Sequence, residues 1–144
     1  MTGMEKEFNR IFREQIPLVG NGIKIDVLEA DEACVKVRVP MDGNGNDKGT
    51  LFAGASYSAL VVAGWCLVMA RARACGFERP WAAVVEAHCR YVKAVRADSV
   101  AVVTFSESAE PKVGARNWLK VSGHIGDAVV FEGTYAVGQH RLQM

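Results

Sequence analysis

Several residues that could take part in catalysis lie where a polar loop is followed by a long uncharged stretch. The loop, Met41 to Gly49, reads MDGNGNDKG, and no charged residue occurs between Leu51 and Ala70. If the uncharged stretch is a helix, its first amide N–H groups have no acceptor inside the helix, and the helix dipole favours negative charge beside them. The amides of Ala53 and Gly54 could therefore polarise a carbonyl group without any side chain.

Hydrolysis at a polarised carbonyl also needs a base that takes a proton from the attacking water, and two carboxylates are candidates. Asp47 lies just before the positive end of the predicted helix, where the dipole keeps it ionised and only weakly basic. Glu86 alternates with His88 and Arg90 along one face of a predicted strand. Each has a plainer interpretation, since Asp47 could brace or cap the loop and Glu86 could lie on a solvated face.

Three further side chains near the junction, Asn44, Ser56 and Tyr57, are candidates for binding a substrate. Ser56 follows Gly54 by two residues and could hydrogen-bond a substrate or position water, although a serine in a crowded helix is often there because it is small. A covalent serine hydrolase is not expected, because Ser, His and Asp recur in no recognised spacing and no G-x-S-x-G occurs.

The histidines and cysteines show no pattern typical of a metal site. His88, His124 and His140 are scattered, and the four cysteines form no C-x-x-C pair. We therefore expect no metal and no cofactor, with the thiols filling the core. We also expect a cytoplasmic protein, because the N-terminus MTGMEKEFNR is too polar for a signal peptide.

The charge balance gives no reason to expect nucleic acid or a membrane surface as a partner. Seventeen basic and sixteen acidic residues leave a formal net charge of +1. A small molecule is the more natural partner. The 144 residues are long enough for one hydrophobic core and short for two, so a single domain over residues 1–144 is expected.

The uncharged stretch must be shielded from water on nearly every side, either as a buried helix or as a membrane span. About twenty uncharged residues are enough to span a bilayer. The buried helix is favoured, because Gly54, Ser56 and Gly64 lower the hydrophobicity and the flanking amphipathic strands need a helix to cover them. Thr50 could cap its first turn, and Gly76 stands where a left-handed residue often ends a helix.

Periodicity predicts an α+β domain in which one curved sheet wraps around one long helix. Apolar residues at helical spacing predict a short first helix from Glu5 to Gln15, ended by Pro17. Strands adjacent in sequence are expected to pair antiparallel, with a tight turn at Gly126-Asp127. Alternation predicts the strands Ile23 to Glu29, Ala33 to Val39, Trp81 to Val92, Ser99 to Ser106, Arg116 to Ile125 and Ala128 to Val137, the first two joined near Asp31.

The loop and helix together resemble a known group of proteins. NGNDKGTLFAG, from Asn44 to Gly54, is followed by Ala63-Gly64-Trp65 and by Arg90-Tyr91-Val92-Lys93. This combination resembles hot-dog-fold proteins classed as thioesterases and related to the C-terminal domain of YiiD-type proteins, over nearly the whole chain. The resemblance implies a hot-dog fold, a homodimer or dimer of dimers that joins two sheets, and acyl-thioester substrates carried on coenzyme A or acyl carrier protein.

The resemblance also implies roles for individual positions. In related hot-dog thioesterases an Asn shortly before the helix orients the attacking water, and that position matches Asn46. Many of them carry an acid on the helix seven residues after the paired glycines, but here that position is Val61. The base must then come from elsewhere, with Asp47 the first candidate and Glu86, brought by a second subunit, the other. The alternative is a non-catalytic acyl-coenzyme A binding module or a subunit of a larger assembly.

Overall fold

The computed structural model describes residues 3–14 and 23–141. Along these residues the predicted α+β class is confirmed, and each predicted strand is present with its ends shifted by a few residues. The end of the first helix was predicted at Gln15 and Pro17, which lie outside the described residues. The elements are α1 (Gly3–Glu14), β1 (Asp26–Ala30), β2 (Cys34–Val39), α2 (Ala53–Ala74), β3 (Pro80–Tyr91), β4 (Ser99–Phe105), β5 (Asn117–Ile125) and β6 (Val129–Gln139).

Within the described residues the strands form one antiparallel sheet in the order β1-β2-β4-β5-β6-β3, which is not closed. Sequence neighbours pair as predicted in β1 with β2, β4 with β5, and β5 with β6. The prediction is wrong for β3 and β4, because β3 pairs with β6 while β4 pairs with β2. The cause is α2, which carries the chain from β2 to the far edge of the sheet, so that β4 returns beside β2.

The central helix α2 lies against the sheet and contacts all six strands. By length and composition alone it could cross a membrane, but 67% of its apolar 18-residue window is buried inside the fold. The buried side chains include Ala59, Ala63 and Leu67 on the helix and Phe131 and Tyr135 on β6. This burial favours the core helix over the membrane span.

The two ends of α2 were predicted with different success. The prediction that Thr50 caps the helix is wrong, because the N-cap is Phe52 and no side chain there makes a capping hydrogen bond within the described chain. The hydroxyl oxygen of Thr50 instead accepts a 2.8 Å hydrogen bond from Nδ2 of Asn46. At the other end Gly76 has the predicted left-handed conformation, with φ of 95°.

The first helix packs on the C-terminal half of α2. Phe8 of α1 meets Trp65 of α2 edge to face, with ring centroids 5.7 Å apart. Glu7 accepts two hydrogen bonds from the guanidinium of Arg73, at 3.0 and 2.9 Å. These contacts of α1 involve the second half of α2, and the first turn of α2 lies next to the loop that precedes it.

Candidate functional site

The loop before α2 is organised by the side chain of Asn46. Its Oδ1 accepts hydrogen bonds from the backbone N–H of Lys48 at 2.9 Å and of Thr50 at 3.1 Å. Its backbone N–H donates to the carbonyl oxygen of Thr50 at 2.8 Å. A short polar side chain that bonds to nearby backbone can hold such a loop without regular structure. Asn46 therefore fixes the path by which the chain enters the helix.

The first amides of α2 have the property that the sequence predicted. The N–H groups of Ala55 and Ser56 donate to the carbonyl oxygen of Phe52, whereas those of Ala53 and Gly54 have no acceptor among the described residues. They stand at the positive end of a 22-residue helix. The aromatic ring of Phe52 covers Gly54 on the side where a Cβ would point, at 2.5 Å from that position.

A cavity of about 280 Å³ opens beside this helix start. Asn46, Ala53 and Ser56, three of the predicted site residues, line it together. Ser56 is 2% exposed and lines this cavity. Its hydroxyl, which can both donate and accept, is therefore near enough to hydrogen-bond a ligand in the cavity. The remaining walls are Leu51, Val129 and the segment from Tyr91 to Val95.

Tyr91 is a wall residue to which sequence reasoning gave no role. Its hydroxyl donates a 3.0 Å hydrogen bond to the carbonyl oxygen of Ala53. Burial, followed by a hydrogen bond with Cys89, raises the pKa of the Tyr91 phenol above its ordinary value. The phenol therefore stays protonated at neutral pH and acts as a donor rather than as a base. The available signal was alternation, which puts Tyr91 on the same strand face as Ala87 and Cys89.

The structure does not bring Asp47 into the cavity wall. Asp47 is exposed in the loop beside Asn46. The cavity lining contains no carboxylate among the residues that the structure describes. Its role as base stays a prediction, in which Asp47 acts from the rim.

Glu86 lies on the opposite face of the sheet from α2. It is paired with Thr134, which stands between the buried Gly133 and Tyr135 and points outward with it. Its Oε1 lies 2.7 Å from Nε2 of His88, and both side chains are exposed. Within this chain the sheet therefore separates Glu86 from the start of α2.

Asn44 and Tyr57 flank the cavity without lining it. Asn44 is 3% exposed, its Oδ1 accepts from the N–H of Lys24, and its Nδ2 donates to the carbonyl oxygens of Lys24 and Pro40. Its own carbonyl accepts from the N–H of Phe52. Through these bonds Asn44 connects the helix N-cap, Phe52, to the backbone at Lys24 and Pro40. Tyr57 is 40% exposed, so it is available to a ligand.

Known proteins resemble this chain in sequence and in fold. Residues 5–139 match the YiiD_C family, described as "Putative thioesterase (yiiD_Cterm)". A comparison with curated proteins found no match.

Solved structures share the fold over nearly the whole chain. A protein from Shewanella oneidensis described as a putative thioesterase has a TM-score of 0.77 at 21% identity, covering 94% of this chain and 98% of its own. A protein of unknown function from Chlorobaculum tepidum has a TM-score of 0.75 at 21% identity, covering 94% of both chains. A thioesterase from Haemophilus influenzae has a TM-score of 0.72 at 13% identity, covering 95% of this chain and 92% of its own. The hot-dog fold implied by the resemblance is thereby confirmed.

Proposed function

Because the chain belongs to the YiiD_C family, whose members are classed as thioesterases, we propose that it hydrolyses acyl thioesters. The observation that carries this proposal is the pair of amides at Ala53 and Gly54, which have no acceptor among the described residues and lie beside a cavity that Ser56 also lines. Donors already fixed before the reaction stabilise an oxyanion most effectively, since they need no reorganisation when charge develops.

In the proposed reaction the thioester carbonyl oxygen accepts hydrogen bonds from Ala53 and Gly54. Water attacks the carbonyl carbon, a C–O bond forms, and Asp47 takes one proton from the water. The C–S bond then breaks, and the thiolate leaves and takes a proton from solvent. Asn46 helps to hold the water, because Nδ2 donates one N–H to Thr50 and retains a second.

Coenzyme A or acyl carrier protein is the proposed carrier of the acyl group. The cavity wall combines the apolar Leu51, Val95 and Val129 with the cationic Lys93, whose Nζ lies 2.6 Å from Oδ2 of Asp127. An apolar wall suits an acyl chain, and Lys93 would contact a phosphate group of the carrier by exchanging it for the carboxylate of Asp127. We propose a cytoplasmic protein that needs no metal or cofactor for this reaction.

A second copy of the chain is the proposed protein partner, in a homodimer or a dimer of dimers. In the described part of the chain β3 is an edge strand with one neighbour, although it is twelve residues long. Val84 and Val85 on it are 41% and 51% exposed. A long apolar edge is a template for pairing with another strand. Such pairing is also the route by which Glu86 could reach a site across the interface.

A non-catalytic acyl-thioester binder is the second candidate. The observation that favours it is the lack of a carboxylate in the cavity lining among the described residues. A binder would use the same amides and cavity but would release no thiol.

A thiol-release assay over acyl-coenzyme A chains of increasing length, repeated with acyl carrier protein, separates the two candidates. We expect turnover by the wild type, a large loss in Asp47→Asn and a smaller loss in Asn46→Ala. If Asp47→Asn keeps full activity and Glu86→Gln loses activity, then Glu86 is the base instead of Asp47. Binding of acyl-coenzyme A by calorimetry without turnover would establish the binder and overturn the enzyme.

Ala53→Pro tests the amide itself. Proline lacks the N–H but is well accepted at the first position of a helix, and Phe52 before it already has the extended ψ of 131° that proline requires. We expect kcat to fall by about 10²- to 10³-fold with little change in thermal stability. The matched control is Ala53→Ser, which retains the N–H. A loss confined to KM would show that the ring merely blocks the cavity.

A further inference from the structure

The hydroxyl of Tyr91 is hydrogen-bonded to the peptide group that contains the N–H of Gly54, one of the two amides without an acceptor in the described part of the chain. It donates to the carbonyl oxygen of Ala53 at 3.0 Å. That oxygen and the N–H of Gly54 belong to the same planar peptide unit, whose C–N bond has partial double-bond character. Electron density drawn toward the oxygen is withdrawn from the nitrogen, so the N–H of Gly54 becomes a stronger donor. Hydrogen bonds linked in this way strengthen one another by about 10–30% each.

We infer that Tyr91 is a positioning residue that strengthens and aims the N–H of Gly54 toward the substrate oxygen while its ring forms a wall of the cavity. This inference rests on the proposed function, because it assigns the N–H of Gly54 to the thioester carbonyl. In this inference the Tyr91 hydroxyl does not contact the substrate oxygen. It acts on the N–H of Gly54 through the peptide group between Ala53 and Gly54.

Two further hydrogen bonds, both between backbone groups, hold the helix start in place. The N–H of Leu51 donates to the carbonyl oxygen of Val95 at 2.7 Å, and the N–H of Phe52 donates to that of Asn44 at 2.8 Å. These two backbone bonds attach the entry to α2 to the chain after β3 on one side and to the polar loop on the other. Loss of the Tyr91 hydroxyl should therefore leave the fold intact, and its effect should appear at Gly54.

The surroundings keep the hydroxyl a donor. Tyr91 shares its strand face with Cys89, and burial is the main cause that raises the pKa of its phenol, with Tyr57 contributing in the same direction. A neutral phenol has one proton to donate, and the carbonyl oxygen of Ala53 accepts it at 3.0 Å. The Cys89 thiol is a second hydrogen-bonding neighbour of this hydroxyl.

The experiment compares wild type with Tyr91→Phe, which keeps the ring, and with Tyr91→Ala, which removes it. In a ¹⁵N-resolved NMR spectrum, we expect the amide proton of Gly54 in Tyr91→Phe to move to lower chemical shift, with smaller changes elsewhere in α2. In the thiol-release assay we expect Tyr91→Phe to lower kcat by about twofold to tenfold at nearly constant KM. Tyr91→Ala should in addition raise KM. Trp118→Phe, at a site 67% exposed, is the control.

A variant that strengthens the Tyr91 hydrogen bond separates an electronic effect on Gly54 from a purely structural role of Tyr91. Replacing Tyr91 by 3-fluorotyrosine makes the phenol a stronger donor with almost the same shape, and it should shift the Gly54 amide in the opposite direction from Tyr91→Phe. An unmoved Gly54 resonance in both variants overturns the inference, as does a moved resonance with unchanged kcat. If wild type releases no thiol, the proposed function fails, while the Gly54 resonance still decides whether Tyr91 acts on that amide.

Discussion

Tyr135 of β6 lies so close over Gly64 of α2 that a Cβ at residue 64 would overlap the phenolic oxygen. The same hydroxyl donates a 2.6 Å hydrogen bond to the carbonyl oxygen of Val61, and Tyr135 is fully buried. Glycine is thus required at residue 64 because the ring occupies the space of a side chain, rather than for an unusual φ. The contact sets how deeply the central helix lies in the sheet.

Gly64→Ala should lower the free energy of unfolding by about 1–3 kcal/mol, because the added methyl group must displace the Tyr135 ring in a packed core. Urea denaturation measures the change. Gly3→Ala is the matched control, since a Cβ there meets nothing within 4 Å. Equal transition midpoints for Gly64→Ala and wild type would show that the helix and β6 are less tightly packed than described.

Asn44→Asp should be destabilising as well. The replacement keeps the shape but removes the two N–H groups that now serve the carbonyl oxygens of Lys24 and Pro40, and an unsatisfied buried group costs about 1–3 kcal/mol. Thermal unfolding at pH 7 measures the loss, with the exposed Asp42→Asn in the same loop as control. If stability is unchanged and only KM rises, Asn44 contacts substrate instead of bracing the loop.

Much of this fold follows from residue patterns, but strand partners depend on how elements cross in space. Alternation correctly places Val35, Val37 and Val39 of β2 on the buried face. Nothing in the strand sequences reveals that β3 pairs with β6, because that pairing results from the path of α2 over the sheet. A bulge between Val84 and Glu86 also breaks the alternation of β3 in a way that the sequence does not mark.

The site was predictable to the extent that it consists of backbone. An uncharged helix after a polar loop predicts free amides at Ala53 and Gly54 whatever the side chains are. The prediction that Thr50 caps the helix was wrong because the Thr50 hydroxyl is bonded to Asn46 instead. That bond forms only in the folded loop, so the sequence pattern does not reveal it. The contact between Tyr91 and Ala53 could not be predicted from the sequence. The two residues are 38 positions apart and come together only when β3 packs beside the start of α2.

The edge strand β3 gives a prediction about assembly. Val85→Lys puts a charge at the bulge of this edge, which has no strand beside it among the residues that the structure describes. The charge should convert a dimer into monomers at micromolar concentration, as measured by sedimentation velocity. Val113→Lys, equally exposed at 51% but between β4 and β5, should leave the dimer intact. A wild-type protein that sediments only as a monomer would contradict the proposed partner.

Asp98 makes stability depend on pH in the acid range. Hydrogen bonds from the N–H of Met41 and from Arg38 hold the pKa of Asp98 below its ordinary value of 3.8. Because the folded pKa is the lower one, the contribution is present above pH 3.8 and is lost as the pH falls through the folded pKa. In Asp98→Asn the decline in stability between pH 5 and pH 2, measured by urea denaturation, should be smaller than in wild type. An identical decline would exclude this linkage.

The first amides of α2 are proposed to bind the thioester oxygen, and a crystal structure with a ketone analogue of acyl-coenzyme A would show whether they do. In this analogue a methylene group replaces the sulfur atom, so the carbonyl group is retained and cannot be hydrolysed. We expect the carbonyl oxygen of the analogue to lie about 2.7–3.1 Å from the backbone nitrogen of Ala53 or Gly54. A well-ordered analogue whose carbonyl oxygen lies away from both nitrogens would contradict this proposal.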